Sequence, residues 1–192
     1  IFLLAGTVYS DVPYQKVADT RDKNRRLGLG LMGLHEFLLT RNLKYAPNVM
    51  LQKYLEEYNK SGEYANSWAD KFAISRPVKT RAVAPTGTIG ILAETTTGVE
   101  PIFCSAYKRR YFSSGQVMYQ YVVDPTAKRL VDSGIDPDKI EDATSLASDI
   151  TRRLEFQVFL QKYVDHAISS TINLPAWGSD LNSNPEEFAA KL

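Results

Sequence analysis

Ala84-Pro85-Thr86-Gly87-Thr88-Ile89-Gly90 decides the reading of this chain. Before it, Thr80 to Ala84 is a short β-prone run. After it, Ile89, Ile91 and Leu92 supply the apolar positions of a helix, which Thr95-Thr96-Thr97-Gly98 ends. The order is strand, tight loop, helix. At a helix start the first backbone N–H groups lack intrahelical partners and point towards any bound anion. Gly87 lets a ligand approach the backbone closely, and the hydroxyls of Thr86 and Thr88 add donors. Pro85 to Ile89 therefore has the chemistry of a phosphate cradle. It lacks the lysine that grips a metal-bound triphosphate, so hydrolysis of such a ligand is not implied. The competing reading is an ordinary strand-to-helix turn.

Outward from that loop, the pattern is helix-rich. Leu27, Leu31, Leu34 and Leu38 recur every three or four residues, which predicts a buried helix over 24–40. Pro47 opens a second helix that runs from Val49 to Phe72 with an interruption near Ser61-Gly62. The stretch from Ile102 to Phe112 has the aromatic and β-branched content of a strand. Asp124-Pro125 and Asp136-Pro137 each set a capping aspartate before a proline, predicting two short helices. Leu154 to Ile168 reads as a long amphipathic helix, and Thr171-Ile172-Asn173-Leu174 as a buried strand stopped by Pro175. Asn184-Pro185 caps a last helix. Strands separated by helices point to an α/β fold with parallel strands.

With 192 residues, the chain is long enough for one sizeable core, and one domain is expected over 1–192. Lysine and arginine number 23 against 22 acidic residues, so no overall field draws the chain to nucleic acid or to a membrane. No apolar run approaches the roughly 20 residues of a bilayer span, and no signal peptide is evident, so a cytoplasmic protein is expected. Cys104 is the one cysteine. It excludes an intrachain disulfide, and with only His35 and His166 beside it there is no ligand set for structural zinc. Ile1 to Gly6 is apolar and reads as the buried part of an element within a fragment.

Other candidate motifs read as structure. Gly28, Gly30 and Gly33 match the spacing of a dinucleotide-binding loop, but that loop follows a buried strand, whereas Thr20 to Arg26 is charged. Helix glycines permitting close packing are the better reading. Glu94 and Glu100 sit beside a capped turn, where acids commonly satisfy backbone donors. Lys108-Arg109-Arg110, flanked by Tyr107 and Tyr111, could stack a base, yet a solvated strand edge suits the balanced charge better. Cys104 reads as a small buried hydrophobe. His35 lies in an apolar helix and His166 on a polar one.

Four stretches, in order, resemble landmarks of the ribonucleotide reductase large subunit. They are Arg25 to Leu34, Ala84 to Ile89, Thr97-Gly98-Val99-Glu100-Pro101-Ile102-Phe103, and Gln161 to His166 with Ser169 to Pro175. The resemblance implies roughly the C-terminal half of a ten-stranded α/β barrel, whose enzyme reduces the ribose 2′-hydroxyl of a ribonucleotide by a thiyl-radical mechanism. It implies that Thr86, Gly87, Thr88 and Ile89 hold the substrate's phosphates. The family's radical cysteine and reducing cysteine pair are expected upstream, and Cys104 does not match the radical position. No catalytic residue and no metal ligand is therefore assigned here.

The complete enzyme would take its radical from adenosylcobalamin or from a metal-bearing subunit, and the stretch from Gln161 to Pro175 leans towards the cobalamin class. None of these cofactors is expected on this segment itself. The implied partners are a ribonucleotide and the upstream half of the enzyme, as a separate chain or a missing segment; pairing of the chain with itself is also expected. The alternative is an inactive nucleotide-binding or structural module derived from the same barrel.

Overall fold

The structure, a computed structural model, describes residues 1–191. In chain order its elements are α1 (Phe2–Tyr9), α2 (Gln15–Asn24), α3 (Leu34–Leu39), α4 (Val49–Asn59), α5 (Ser61–Lys71), α6 (Gly87–Leu92), β1 (Ala106–Ser113), β2 (Gln116–Val123), α7 (Pro125–Asp132), a one-turn 3-10 helix (Pro137–Lys139), α8 (Ala143–Leu146), α9 (Ile150–Gln161) and α10 (Pro185–Lys191). They fall into two compact units, one made of 1–31, 47–84 and 157–169, the other of 32–46, 85–156 and 170–192.

In the first unit, three short segments run side by side. Leu29 and Arg81 form one parallel bridge, Val83 and Ile168 another. Leu27 donates to the Lys79 carbonyl and Leu29 to that of Thr80, both at 3.0 Å, while Ser169 donates to Val83 at 2.8 Å. The predicted strand at Thr80 to Ala84 is thus the middle rung, and the expected parallel pairing exists as these two bridges. Around it Leu4, Leu51, Leu55, Ala69, Leu160 and Val164 are buried.

This pairing corrects two predicted helices. The helix over 24–40 is formed only as α3, because Arg25 closes α2 in the left-handed region and Leu27 to Leu29 turn to the Thr80 backbone instead. The same leucines fit a period near four and, as Leu27, Leu29 and Leu31, a period of two; the available backbone partner decided for two. Gly28, Gly30 and Gly33 are therefore not helix glycines, but Gly30 and Gly33 do permit a close approach. A Cβ on Gly30 would lie 2.9 Å from the Ala82 carbonyl oxygen. The predicted helix to Ile168 stops at Gln161, whose side chain donates to the carbonyls of Val164 and His166 at 2.7 and 2.8 Å. Residues beyond it are taken by the parallel pairing.

The second unit packs Leu39, Ile102, Ala127, Leu130 and Ile140 into one cluster, with Ile135 against it. Nearby, His35 and Tyr45 are fully buried, and the Tyr45 ring meets Phe156 edge-on at 4.3 Å. The Asp-Pro caps behave as predicted. Asp124 accepts from the amides of Thr126 and Ala127, both at 2.9 Å, and Asp136 from that of Asp138 at 3.0 Å. Asn184 likewise accepts from Glu186 and Glu187.

β1 overlaps the predicted strand region, ending one residue beyond it at Ser113, and pairs antiparallel with β2, a partner strand not anticipated. Thr171 to Leu174 is not a strand. Glu100 takes the Thr171 amide at 2.5 Å and Arg153 takes its carbonyl at 3.3 Å, so side chains occupy the groups a ladder would need. Ile1 to Gly6 is likewise not a buried element, since Leu4 is enclosed but Phe2 is 87% exposed. Among the described residues the regular sheet is one hairpin, not ten strands.

Candidate functional site

Pro85, with its fixed φ and no N–H, ends the extended run, and the chain turns into α6 at Thr86. Thr86 is the cap residue, but its hydroxyl does not cap the helix; it accepts the Gly98 amide at 2.7 Å. Its carbonyl takes the Gly90 amide at 2.6 Å, the first bond of the helix. The amides of Thr86, Gly87, Thr88 and Ile89 have no acceptor among the described residues, nor does the Thr88 hydroxyl a partner. Gly87, Thr88 and Ile89 are exposed. A Cβ on Gly87 would meet nothing within 4 Å. All four residues singled out by sequence therefore lie together, with donors free and the mouth open.

Gly90, three residues later, is the opposite case. It is buried, and a Cβ there would sit 2.8 Å from the Thr97 methyl and 3.3 Å from the Thr95 carbonyl. The turn Thr95 to Gly98 is thus packed on α6 and bonded to Thr86. Sequence reasoning gave that turn only the task of ending the helix; its return onto the loop was missed. The small residues at Gly90 and Gly98 were the available signal, since both permit a close backbone approach.

Glu36 braces the other side of this turn. Its carboxylate accepts from the Thr95 hydroxyl and from Arg129, both at 2.5 Å, and its amide donates to Thr96. A cavity of about 600 Å³ lies beside Gly90 and Ile91, bounded by Pro101, Phe103, Pro125 and Arg129 among others. The two cations on its wall are paired, Lys128 with Asp132 and Arg129 with Glu36. It has no cationic excess with which to draw an anion.

The remaining candidates are not brought to the loop as chemistry. Cys104 is half-buried with its Sγ 3.1 Å from the Ala106 carbonyl. Glu94 is exposed, and Glu100 is occupied by the Thr171 amide. His35 Nδ1 accepts the Ile102 amide at 2.9 Å, which places the ring proton on Nε2. Burial pushes its pKa down to about 4, against the raising effect of Glu141 and Asp142. Gly28 and Gly30 lie within the extended segment paired with residues 79–82 rather than after it, and only Gly33 caps α3, so the three do not make a dinucleotide loop. Among the described residues no three His, Cys, Asp or Glu side chains gather to hold a metal, and no helix is long and apolar enough to cross a membrane.

In the first unit, Asp165 forms the densest polar cluster. Its carboxylate accepts from the amide of Thr80 at 3.0 Å, from that of Arg81 at 2.7 Å and from the Thr80 hydroxyl at 3.1 Å. Burial raises its pKa, but the Arg81 and Thr80 amides, with the Arg81 charge, outweigh that and hold it below the usual carboxylate range. Arg81 is itself buried, spanning to the carbonyls of Tyr163 and Asn59. Every donor in this cluster is spent inside the protein.

Comparison with known proteins places these features in a family. The family model described as ribonucleotide reductase, barrel domain, matches residues 76–188, which include the loop and the Asp165 cluster. A vitamin B12-dependent ribonucleoside-diphosphate reductase of Mycobacterium tuberculosis is 27% identical over 87% of this chain and 30% of its own length. An adenosylcobalamin-dependent ribonucleoside-triphosphate reductase of Euglena gracilis is 26% identical over 84% of this chain and 23% of its own. The class Id ribonucleotide reductase alpha subunit of Actinobacillus ureae superposes with a TM-score of 0.57 at 18% identity, over 85% of this chain and 36% of that one. The chain spans about three tenths or less of the length of these curated relatives.

Proposed function

We propose, from the premise that the chain belongs to the ribonucleotide reductase barrel-domain family, that it is a segment of an enzyme converting ribonucleotides to deoxyribonucleotides. Its contribution is the loop Thr86 to Ile89, on which the substrate's phosphates rest. The observation that carries this reading is the set of amides at Thr86, Gly87, Thr88 and Ile89, unaccepted among the described residues, in a stretch that matches the family and whose Gly87, Thr88 and Ile89 are exposed. Residues 1–192 are, on this reading, one partial domain of a ten-stranded barrel, completed by an upstream segment.

The chemistry assigned to this chain is binding and orientation. Amides at a helix start supply partial positive charge and directed donors to a phosphate without a metal or a lysine. Thr88 adds a free hydroxyl. Thr86 can still donate its hydroxyl proton while accepting from Gly98, so it joins the loop to the Thr95 to Gly98 turn. Anchoring the phosphates fixes where the ribose lies, which converts an encounter into a positioned reaction.

The groups that react with the ribose are supplied elsewhere. There a cysteine radical would take the ribose 3′-hydrogen and finally return it, the 2′-hydroxyl would leave as water with an added proton, and a thiol pair would supply the two electrons and two protons as it closes to a disulfide. Adenosylcobalamin, named for the relatives above, would supply the initiating radical in the complete enzyme. No residue here is assigned to it.

Complementation tests the reading. Mixed with an upstream segment carrying the three cysteines of a cobalamin-dependent relative, the chain is expected to yield deoxynucleotide from a ribonucleoside di- or triphosphate. Gly87→Val should abolish that yield. Product formed equally well by the Gly87→Val chain would remove the loop from the function.

A further inference from the structure

The hairpin of β1 and β2 is the part of the molecule that phosphate binding leaves unused. Seven of eight residues in each strand are exposed, and the one remaining in each is only partly covered. No backbone group from Tyr107 to Val123 bonds outside the hairpin among the described residues. A two-stranded ribbon with both faces wet is marginal on its own. Its free edges are open templates for another strand.

The two edges differ. From Ala106 to Val123 the sequence has three cations, Lys108, Arg109 and Arg110, and no carboxylate. All three cations lie on β1, while β2 is uncharged. Consecutive positions alternate between faces, so Lys108 and Arg110 share one face and Arg109 takes the other. Positive charge therefore runs along the β1 edge itself, whichever face is viewed. Such an edge repels another copy of itself and attracts a strand with acids at successive positions.

We propose that the free edge of β1 receives an extended acidic segment of another polypeptide as a third strand. Main-chain bonds to the open edge would hold it, and Lys108, Arg109 and Arg110 would select its carboxylates. A single-stranded nucleic acid is the competing occupant, since the Tyr119, Tyr121 and Phe112 rings are exposed, but only a polypeptide also satisfies the open main-chain groups of the edge. The Lys108 ammonium lies 4.6 Å from the Tyr119 ring centre and 5.7 Å from that of Tyr121, and the Arg109 guanidinium lies 5.8 Å from that of Tyr111. Those contacts leave the cations' N–H groups free for carboxylates.

The test uses the whole chain and a fluorescent, end-blocked peptide, Thr-Val-Glu-Asp-Glu-Val-Thr, with its Lys-Arg-Lys counterpart and ten-nucleotide oligo-dT as competitors. The acidic peptide is expected to bind, at least tenfold more tightly than the basic one, and to slow amide exchange within Ala106 to Ser113 but not within Gln116 to Val123. The variant K108E/R109E/R110E is expected to reverse the preference and bind the basic peptide, which also shows that its hairpin still folds. Four results would overturn the proposal: no binding of the acidic peptide, tighter binding of oligo-dT, protection mapping outside β1, or self-association through this edge.

Discussion

Thr80-Arg81 and Thr86 to Ile89 are neighbours in sequence with opposite polar economies. At Thr80-Arg81 each amide is taken by Asp165, and the guanidinium is spread over carbonyls and a carboxylate. At Thr86 to Ile89 the amides have no acceptor among the described residues, and Gly87, Thr88 and Ile89 are exposed. Folding consumes the first set of donors and leaves the second without a partner among the described residues. The difference teaches where to look for function in a helix-rich chain: not where polar groups are densest, but where they are unspent.

The largest expected effect breaks the spent set. Asp165→Ala leaves two amides, a hydroxyl and the buried Arg81 without their acceptor, and should cost about 4 kcal/mol in urea unfolding. Asp165→Asn, which retains one acceptor oxygen, should lose about half as much. Equal stability of Asp165→Ala and the parent would show that the cluster is not a structural pin.

Next is a pH effect from the enclosed imidazole. His35 titrates near 4 when folded, against an ordinary value of 6.5, so the unfolded chain binds the extra proton first. Its contribution is fully present above about 6.5 and is lost as pH falls towards 4, by about 3 kcal/mol over that window. His35→Gln should flatten the stability profile there. The carboxylates of Asp165, Glu141 and Asp142, all held below their ordinary range, lose their contribution only at lower pH. An unchanged slope between 6.5 and 4 in His35→Gln would assign it to other groups.

The two glycines of α6 sharpen the comparison within one helix. Gly90→Ala forces a methyl into the Thr97 side chain and the Thr95 carbonyl and should cost about 2 kcal/mol in thermal unfolding. Gly87→Val meets open space and should leave stability within about 1 kcal/mol. Smallest is a gain. Glu94 follows the C-terminus of α6 with φ 53, a conformation glycine adopts without strain, so Glu94→Gly should stabilise by about 1 kcal/mol. A loss of melting temperature in Glu94→Gly would mean that its side chain matters more than its backbone.

Much of this was legible in the sequence where the signal is local. The aspartates before Pro125 and Pro137 cap the helices they predict, and the loop after Thr80 to Ala84 has the free amides its helix start implied. What was not legible depends on partners distant in sequence. Leu27 to Leu31 could not reveal that the Lys79 and Thr80 carbonyls would claim them, nor Thr171 to Leu174 that Glu100 and Arg153 would take the Thr171 backbone. The bond from Gly98 to Thr86 is of the same kind, its donor and acceptor twelve positions apart. Periodicity reports which face is apolar; it does not report which backbone will be nearby.

Titration of the isotope-labelled chain with a ribonucleoside diphosphate, followed amide by amide in nitrogen–proton correlation spectra, tests the central claim most directly. The amides of Gly87, Thr88 and Ile89 are expected to shift in one saturable process, those of Thr80 and Arg81 to stay fixed, and Gly87→Val to weaken the process at least tenfold. Saturable binding that moves other amides while Gly87, Thr88 and Ile89 stay unmoved, or no binding at all, would contradict it.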